Sequence, residues 1–143
     1  MAEANQSGLL AVRLVTPDRI LLDATAEAVE LPSMSGYLEV LYGAAPLLAE
    51  LGAGEVRLHG GTSGDQKFFV AWGFVEALPE RVTILAETAM HPNEIDRAEA
   101  QQELQEGEKL WQEAGDDGNK YDEANALMRQ AQEKLASAEG KST

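Results

Sequence analysis

The sequence contains no cysteine. Disulfides, thiolate metal sites and cysteine nucleophiles are excluded at once, and nothing calls for an oxidising compartment. Histidine is scarce too. His59 and His91 stand far apart, and a metal site or a histidine-based triad needs a second group at readable spacing. Both read as exposed loop histidines, with no metal site and no cofactor to serve. Basic residues are few: 11 Lys and Arg against 25 Asp and Glu, a formal net charge of −14. Nucleic acid and anionic lipid surfaces demand clustered cations, so neither is an expected partner. No run is long and apolar enough to cross a bilayer. The opening stretch, MAEANQSGLLAVRLV, lacks the basic start and apolar run of a signal peptide. The expectation is a soluble, cytoplasmic chain with no direct membrane insertion.

What is present falls into two parts. Up to about residue 90, short apolar runs recur every eight to twelve residues or so, separated by glycine and proline turns. LLAVRLVT turns at Pro17-Asp18 and is followed by RILLDA, TAEAVELP and YLEVLY. EVRLHG runs into the turn GTSGD, KFFVAWGFVEAL rises from it, and RVTILAET follows Pro79-Glu80. This pattern predicts an antiparallel β-sandwich over residues 1–91. After His91-Pro92 the period changes. Asn93 and Asp96 read as a helix cap; Ala100, Leu104, Gly107, Trp111 and Ala114 then repeat at helical spacing. GDDGN breaks the run, Asn119 and Asp122 repeat the cap, and Tyr121, Ala124, Met128, Ala131, Leu135 and Ala138 form a second stripe. Two narrow stripes joined by a tight polar loop predict an antiparallel two-helix hairpin over residues 92–143. The fold class is therefore α+β in two parts. The stripes are rich in alanine, so the hairpin buries little area and is marginal by itself.

The chemistry-bearing candidates are sparse. GGTSGD precedes a strand, and a phosphate cradle needs a helix N-terminus, so a hairpin turn is expected there. The acidic pairs Glu103/Glu106 and Asp116/Asp117 read as solvated charges, since catalytic carboxylates need unequal environments. No serine lies in a nucleophile elbow. The residues themselves describe a non-catalytic interaction protein. Its most unusual stretch is GYLEVLYGAAPLLAEL, residues 36–51, which is apolar, turned at Gly43 and Pro46, and carries only Glu39 and Glu50 as charges. It reads either as a pair of buried strands or as a surface on which something packs.

Together these stretches resemble the epsilon subunit family of bacterial F-type ATP synthases. Gly36, Leu38, Val40, Ala45, Pro46, Leu47 and Leu48 fit the family signature leading to Ala-Pro-Leu. Gly73 to Glu76 and Val82 to Ala89 fit its Gly-Phe-Val-Glu and Val-Thr-Ile-Leu-Ala-Glu-Thr-Ala strands. VTPDRILLDA resembles the first hairpin, and Tyr121, Ala124, Ala126, Arg129, Ala131 and Leu135 fall where the family keeps similar residues. Glu39, Tyr42, Ala44 and Trp72 depart from the pattern.

The resemblance implies a non-catalytic rotor subunit of a proton-translocating ATP synthase, peripheral on the cytoplasmic face of the bacterial inner membrane. It links the γ subunit to the c ring and so couples proton flow to ATP synthesis. It implies partner contacts at Thr16 and Ala44 toward γ and at Tyr37 and Leu38 toward the c ring. Its hairpin can reach the catalytic α and β subunits and restrain hydrolysis. Some members bind ATP through an Ile/Leu-Asp-x-x-Arg-Ala motif. Here the stretch is Ile95-Asp96-Arg97-Ala98-Glu99-Ala100, with Glu99 in the arginine's place and Arg97 pointing about 200° away. A carboxylate repels phosphate, so weak or absent ATP binding is expected. The hairpin's net charge of −7, from 13 acids and 6 bases in residues 93–143, likewise argues for feeble inhibition. The alternative from another class is a stand-alone β-sandwich adaptor using the same apolar corner.

Overall fold

The computed structural model describes residues 8–140. The chain divides between His91 and Pro92 into two compact units.

The first unit holds seven strands: β1 (Leu10–Val15), β2 (Ile20–Ala26), β3 (Ala28–Ser33), β4 (Gly36–Leu41), β5 (Leu47–His59), β6 (Gln66–Leu78) and β7 (Arg81–Met90). They bond in the order β2-β1-β7-β6-β5-β3-β4. Alternation sets the faces: Leu10, Val12 and Leu14 of β1 are buried while Ala11 and Arg13 are exposed. Residues from opposite ends of that order, Leu22 of β2 and Val40 of β4, share one core with Val29, Leu58, Phe68, Val75 and Ile84. The sheet therefore curls over itself into two layers. The fold line crosses the two long strands, where residues 51–56 of β5 and 68–71 of β6 are buried without alternation. Just beyond it Trp72 has φ 63° and Gly73 has φ 125°. A side chain at Gly73 would run into the Leu85 carbonyl, so only glycine fits this kink.

Two expectations change. The sheet is not wholly antiparallel, because β1 runs parallel to β7; the first hairpin adds to the outside of the last strand. EVRLHG is no separate strand: its first five residues end β5, which starts at Leu47.

The second unit holds a 3-10 turn (Pro92–Glu94) and two helices, α1 (Arg97–Glu113) and α2 (Gly118–Ala138). The caps differ from the expected ones. Asn93 lies in the 3-10 turn, and Asp96 caps α1 by accepting from the Glu99 N–H at 3.1 Å. Asp117 caps α2, accepting from the N–H groups of Asn119 and Lys120 at 3.0 and 3.3 Å. A carboxylate serves a helix N-terminus both as acceptor and as counter-charge to the dipole.

The seam also drifts. Ala100, Gly107, Ala114, Ala124 and Ala131 are buried as the stripes predict, but beyond Ala131 the buried residues are Lys134 and Ser137, with Leu135 and Ala138 half-buried. Lys134 Nζ lies 3.2 and 3.1 Å from the two oxygens of Glu103, so Glu103 is an ion-pair partner inside the hairpin and not a solvated charge. Asp117 is likewise a cap. Trp111 stays about half exposed and meets Tyr121 edge-on at 5.7 Å between centroids.

Candidate functional site

The inward parity of β1, β7 and β6 leaves Arg13, Val15, Thr83, Leu85, Phe74 and Glu76 on the outer face of one layer. Strand register then lines up Ile20, Val15, Leu85, Phe74 and Glu50 as one cross-strand row. Its first four members are apolar. Phe74 is 53% exposed, Leu85 52% and Ile20 57%, and Leu48, two residues along β5 from Glu50, is 72% exposed. An open cleft of about 340 Å³ beside the row is lined by Val15, Thr16, Pro17, Phe74, Leu85 and Glu87, among others. The neighbouring row is polar over four strands, Asp23, Arg13, Thr83 and Glu76, and ends on the exposed Leu48. Isolated exposed apolar residues need no explanation, but a contiguous row across four strands makes this face the candidate docking surface. Covering a Leu or Phe side chain fully contributes about 1.5–3 kcal/mol.

The apolar corner resolves the same way. In residues 36–51 only Val40 and Leu51 are buried, so this is not a pair of buried strands. β4 bonds to β3 alone and forms one edge of the sheet.

The four expected partner residues are not gathered in one place. Thr16 lines the cleft, and its hydroxyl closes the β1–β2 turn through the Arg19 carbonyl at 3.3 Å. Ala44 lies near the far end of the same layer, where the Gly43 N–H donates to the Pro79 carbonyl at 2.7 Å. The length of β1, roughly 17 Å at about 3.3 Å per residue, separates the two. Leu38 and Ala44 are half-buried and pack against the core. Tyr37 belongs to the opposite end of β4, where its hydroxyl accepts from the Glu55 N–H at 2.9 Å. Sequence reasoning missed Phe74 and Leu85 as site residues. Their signal was legible: each is apolar where the alternation Val75/Ala77 and Ile84/Ala86 calls for a polar residue.

The family model for the ATP synthase Delta/Epsilon chain beta-sandwich domain matches residues 9–92. The chain is 44% identical over 103 residues to the ATP synthase epsilon chain of Koribacter versatilis, covering 71% of each. To the ATP synthase epsilon chain of Moorella thermoacetica it is 36% identical over 129 residues, 90% of this chain and 96% of that one. The chain belongs to the ATP synthase epsilon chain family. Among solved structures, a chain of the Euglena gracilis mitochondrial ATP synthase (OSCP/F1/c-ring, rotational state 1) matches with a TM-score of 0.74 at 17% identity, covering 88% of this chain and 79% of that one, which speaks for the fold.

Epsilon chains are non-catalytic subunits, and the histidines agree with a structural use. His59 ends β5, with Nε2 2.7 Å from Glu30 Oε1, and the His91 ring lies 4.9 Å from that of Phe68. His59 is thus a half-buried strand residue and not the loop histidine expected, while His91 is exposed and outside any strand or helix, as expected. At the start of α1 the residues expected to bear on nucleotide are engaged elsewhere. Asp96 caps the helix, and the Arg97 guanidinium donates to the Ala138 carbonyl at 3.2 Å, tying the open end of the hairpin. Glu99 is exposed, with only its N–H drawn to Asp96. Among the described residues no helix is long and apolar enough to cross a membrane.

Proposed function

We propose that this chain is the epsilon subunit of a bacterial F-type ATP synthase, working in the central stalk as a non-catalytic part of the rotor. The single observation that carries the reading is the match to the Moorella epsilon chain, which spans 90% of this chain and so includes both units. The outer face with Val15, Thr16, Phe74 and Leu85, extended by the loop at Ala44, is the surface for γ. The β3–β4 end, with Tyr37 and Leu38, faces the c ring. Coupling follows from stiffness: a sandwich held on γ and on the ring cannot shear while proton flow turns them together. The complex places the chain peripherally at the cytoplasmic face of the inner membrane.

The test is co-expression with γ and the catalytic head of the same organism, followed by size-exclusion chromatography. Co-elution is expected, and Phe74→Asp or Leu85→Asp should abolish it. These exposed positions are better probes than Leu38 or Ala44, where an aspartate would also disturb the core. Co-elution unaffected by either change would discard the outer face; separate elution beside an intact head would favour a stand-alone adaptor.

The hairpin contributes little regulation. Calorimetric titration with Mg-ATP should give no tight binding, because Glu99 opposes phosphate and Arg97 is occupied. Removing residues 93–143 should change the head's hydrolysis rate less than about twofold, because a hairpin of net charge −7 is repelled by the acidic stretch that the family resemblance implies on the catalytic β subunits. A many-fold rise would contradict this.

A further inference from the structure

Between the pairs Ser33–Leu51 and Glu30–Arg57 the β3–β5 ladder loses register. Two residues of β3, Leu31 and Pro32, stand against five of β5, residues 52–56. Pro32 has no N–H to donate, and β5 here is bonded regularly only to β6. The Glu55 N–H lies in a wholly buried stretch of β5, opposite the interrupted part of the β3 ladder, and a buried N–H needs an acceptor. Tyr37 supplies it, reaching over from β4 to place its hydroxyl 2.9 Å from the Glu55 nitrogen.

The space for that reach is kept open. A side chain at Gly54 would fall 2.5 Å from the Tyr37 hydroxyl and 3.2 Å from Pro32. The ring is held as well, since the Arg57 guanidinium lies over it, 5.4 Å from the centroid, within cation–π range. Arg57 is itself fixed by Glu55, with Nε 3.1 Å from an oxygen of that carboxylate. The Glu55 side chain is 2% exposed, and a charge so buried demands a partner. Beyond Tyr37 the tip is fastened at two points: the Ser33 hydroxyl donates to the Gly36 carbonyl at 2.6 Å, and the N–H of Met34, whose side chain is 59% exposed at the apex, donates to the Glu50 carbonyl of β5 at 3.1 Å.

We infer that Glu55 and Arg57 are positioning residues for Tyr37, and that this strut, acting beside the backbone bond from Met34 to Glu50, sets the angle at which the β3–β4 tip meets its partner. The functional half of the inference rests on the proposed contact of this end with the c ring; the structural half does not. An edge strand bonded to one neighbour is free to hinge, and here a side chain restores the second attachment.

The experiment uses the full chain and two readouts, amide hydrogen exchange and retention on detergent-solubilised c ring from the same organism. Tyr37→Phe keeps the ring and removes the acceptor. It should speed exchange of the Glu55 amide about five- to tenfold, the equivalent of one hydrogen bond, and weaken retention on the ring. Arg57→Gln should speed exchange across residues 34–37, and Arg57→Lys, which keeps the charge but not the flat cation, should fall between it and the native chain. If Arg57→Gln fails to fold, Tyr37→Phe alone decides. Unchanged Glu55 exchange in Tyr37→Phe overturns the strut. Faster exchange with unchanged retention in Tyr37→Phe, while Met34→Asp abolishes retention, overturns the positioning role. Retention untouched by Met34→Asp overturns the proposed ring contact and leaves the strut to the exchange readout.

Discussion

The two units solve the same packing problem with different materials. The sandwich buries large side chains completely: Phe68, Phe69, Leu10, Leu14, Leu31, Leu58 and Ile84 are all at or below 1% exposure. The hairpin buries Ala100, Ala114, Ala124, Ala131 and Gly107, and completes its seam with Lys134 and Ser137. Small residues let helices approach closely but remove little apolar area from water, so the hairpin's contribution per residue is far smaller. Its specificity comes instead from contacts such as the Lys134–Glu103 ion pair and the close approach at Gly107, where a side chain would fall 2.5 Å from the Met128 Cγ. A stiff body suits the proposed place between γ and the c ring. The hairpin, burying less apolar area per residue, is the more lightly held unit.

The largest expected effect tests the sandwich side of that contrast. Phe68→Ala should cost about 3–5 kcal/mol, because a buried ring leaves a cavity that surrounding strands cannot close. Denaturant unfolding followed by tryptophan fluorescence should show a lower midpoint with an unchanged slope. A loss below about 1 kcal/mol would mean the core is far softer than its burial implies.

Next in size is the hairpin's ion pair. Lys134→Ala strands Glu103 in a part-buried seam and should cost roughly 2–4 kcal/mol, less than a fully buried pair because Glu103 keeps 21% exposure. The loss should fall on helix alone. Circular dichroism at the helical minimum should drop on mild heating while the aromatic signal of the sandwich holds. The double change Glu103→Leu/Lys134→Leu should recover most of it, since an apolar pair needs no counter-charge. Simultaneous loss of both signals would show that the units do not melt separately.

The smallest effect is on the surface. Arg13 and Asp23 are paired at 3.0 Å with side chains 50% and 62% exposed. Arg13→Ala should change stability by less than about 0.5 kcal/mol, as screening and side-chain entropy offset the attraction. A larger loss would mean the outer polar row is coupled to the core.

Much of this was readable from the chain. Alternation in LAVRLV assigns Leu10, Val12 and Leu14 inward without reference to any partner strand, because a strand's faces follow from a period of two. The change to helical spacing beyond Pro92 is equally local, and so is the apolar corner's shortage of charge. The caps were misplaced by three and two residues, Asn93 for Asp96 and Asn119 for Asp117, because several Asn and Asp compete near each helix start and only the backbone path selects one. The seam beyond Ala131 was misread because a lysine is polar by type, while its stem can be buried once Glu103 meets its head from the other helix.

Composition, period and turn chemistry by themselves determined a sandwich followed by a hairpin and the exclusion of cysteine chemistry, while particular motifs such as Gly73 to Glu76 and Val82 to Ala89 carried the family resemblance. These depend on neighbours in the chain and on residue type. The tertiary structure alone decided that Ile20, Val15, Leu85 and Phe74 form one row, that β1 lies parallel to β7, and that Tyr37 reaches the Glu55 amide. Each is a meeting of residues distant in sequence, set by register across the sheet, and register is fixed by packing over the whole core, not by any local pattern.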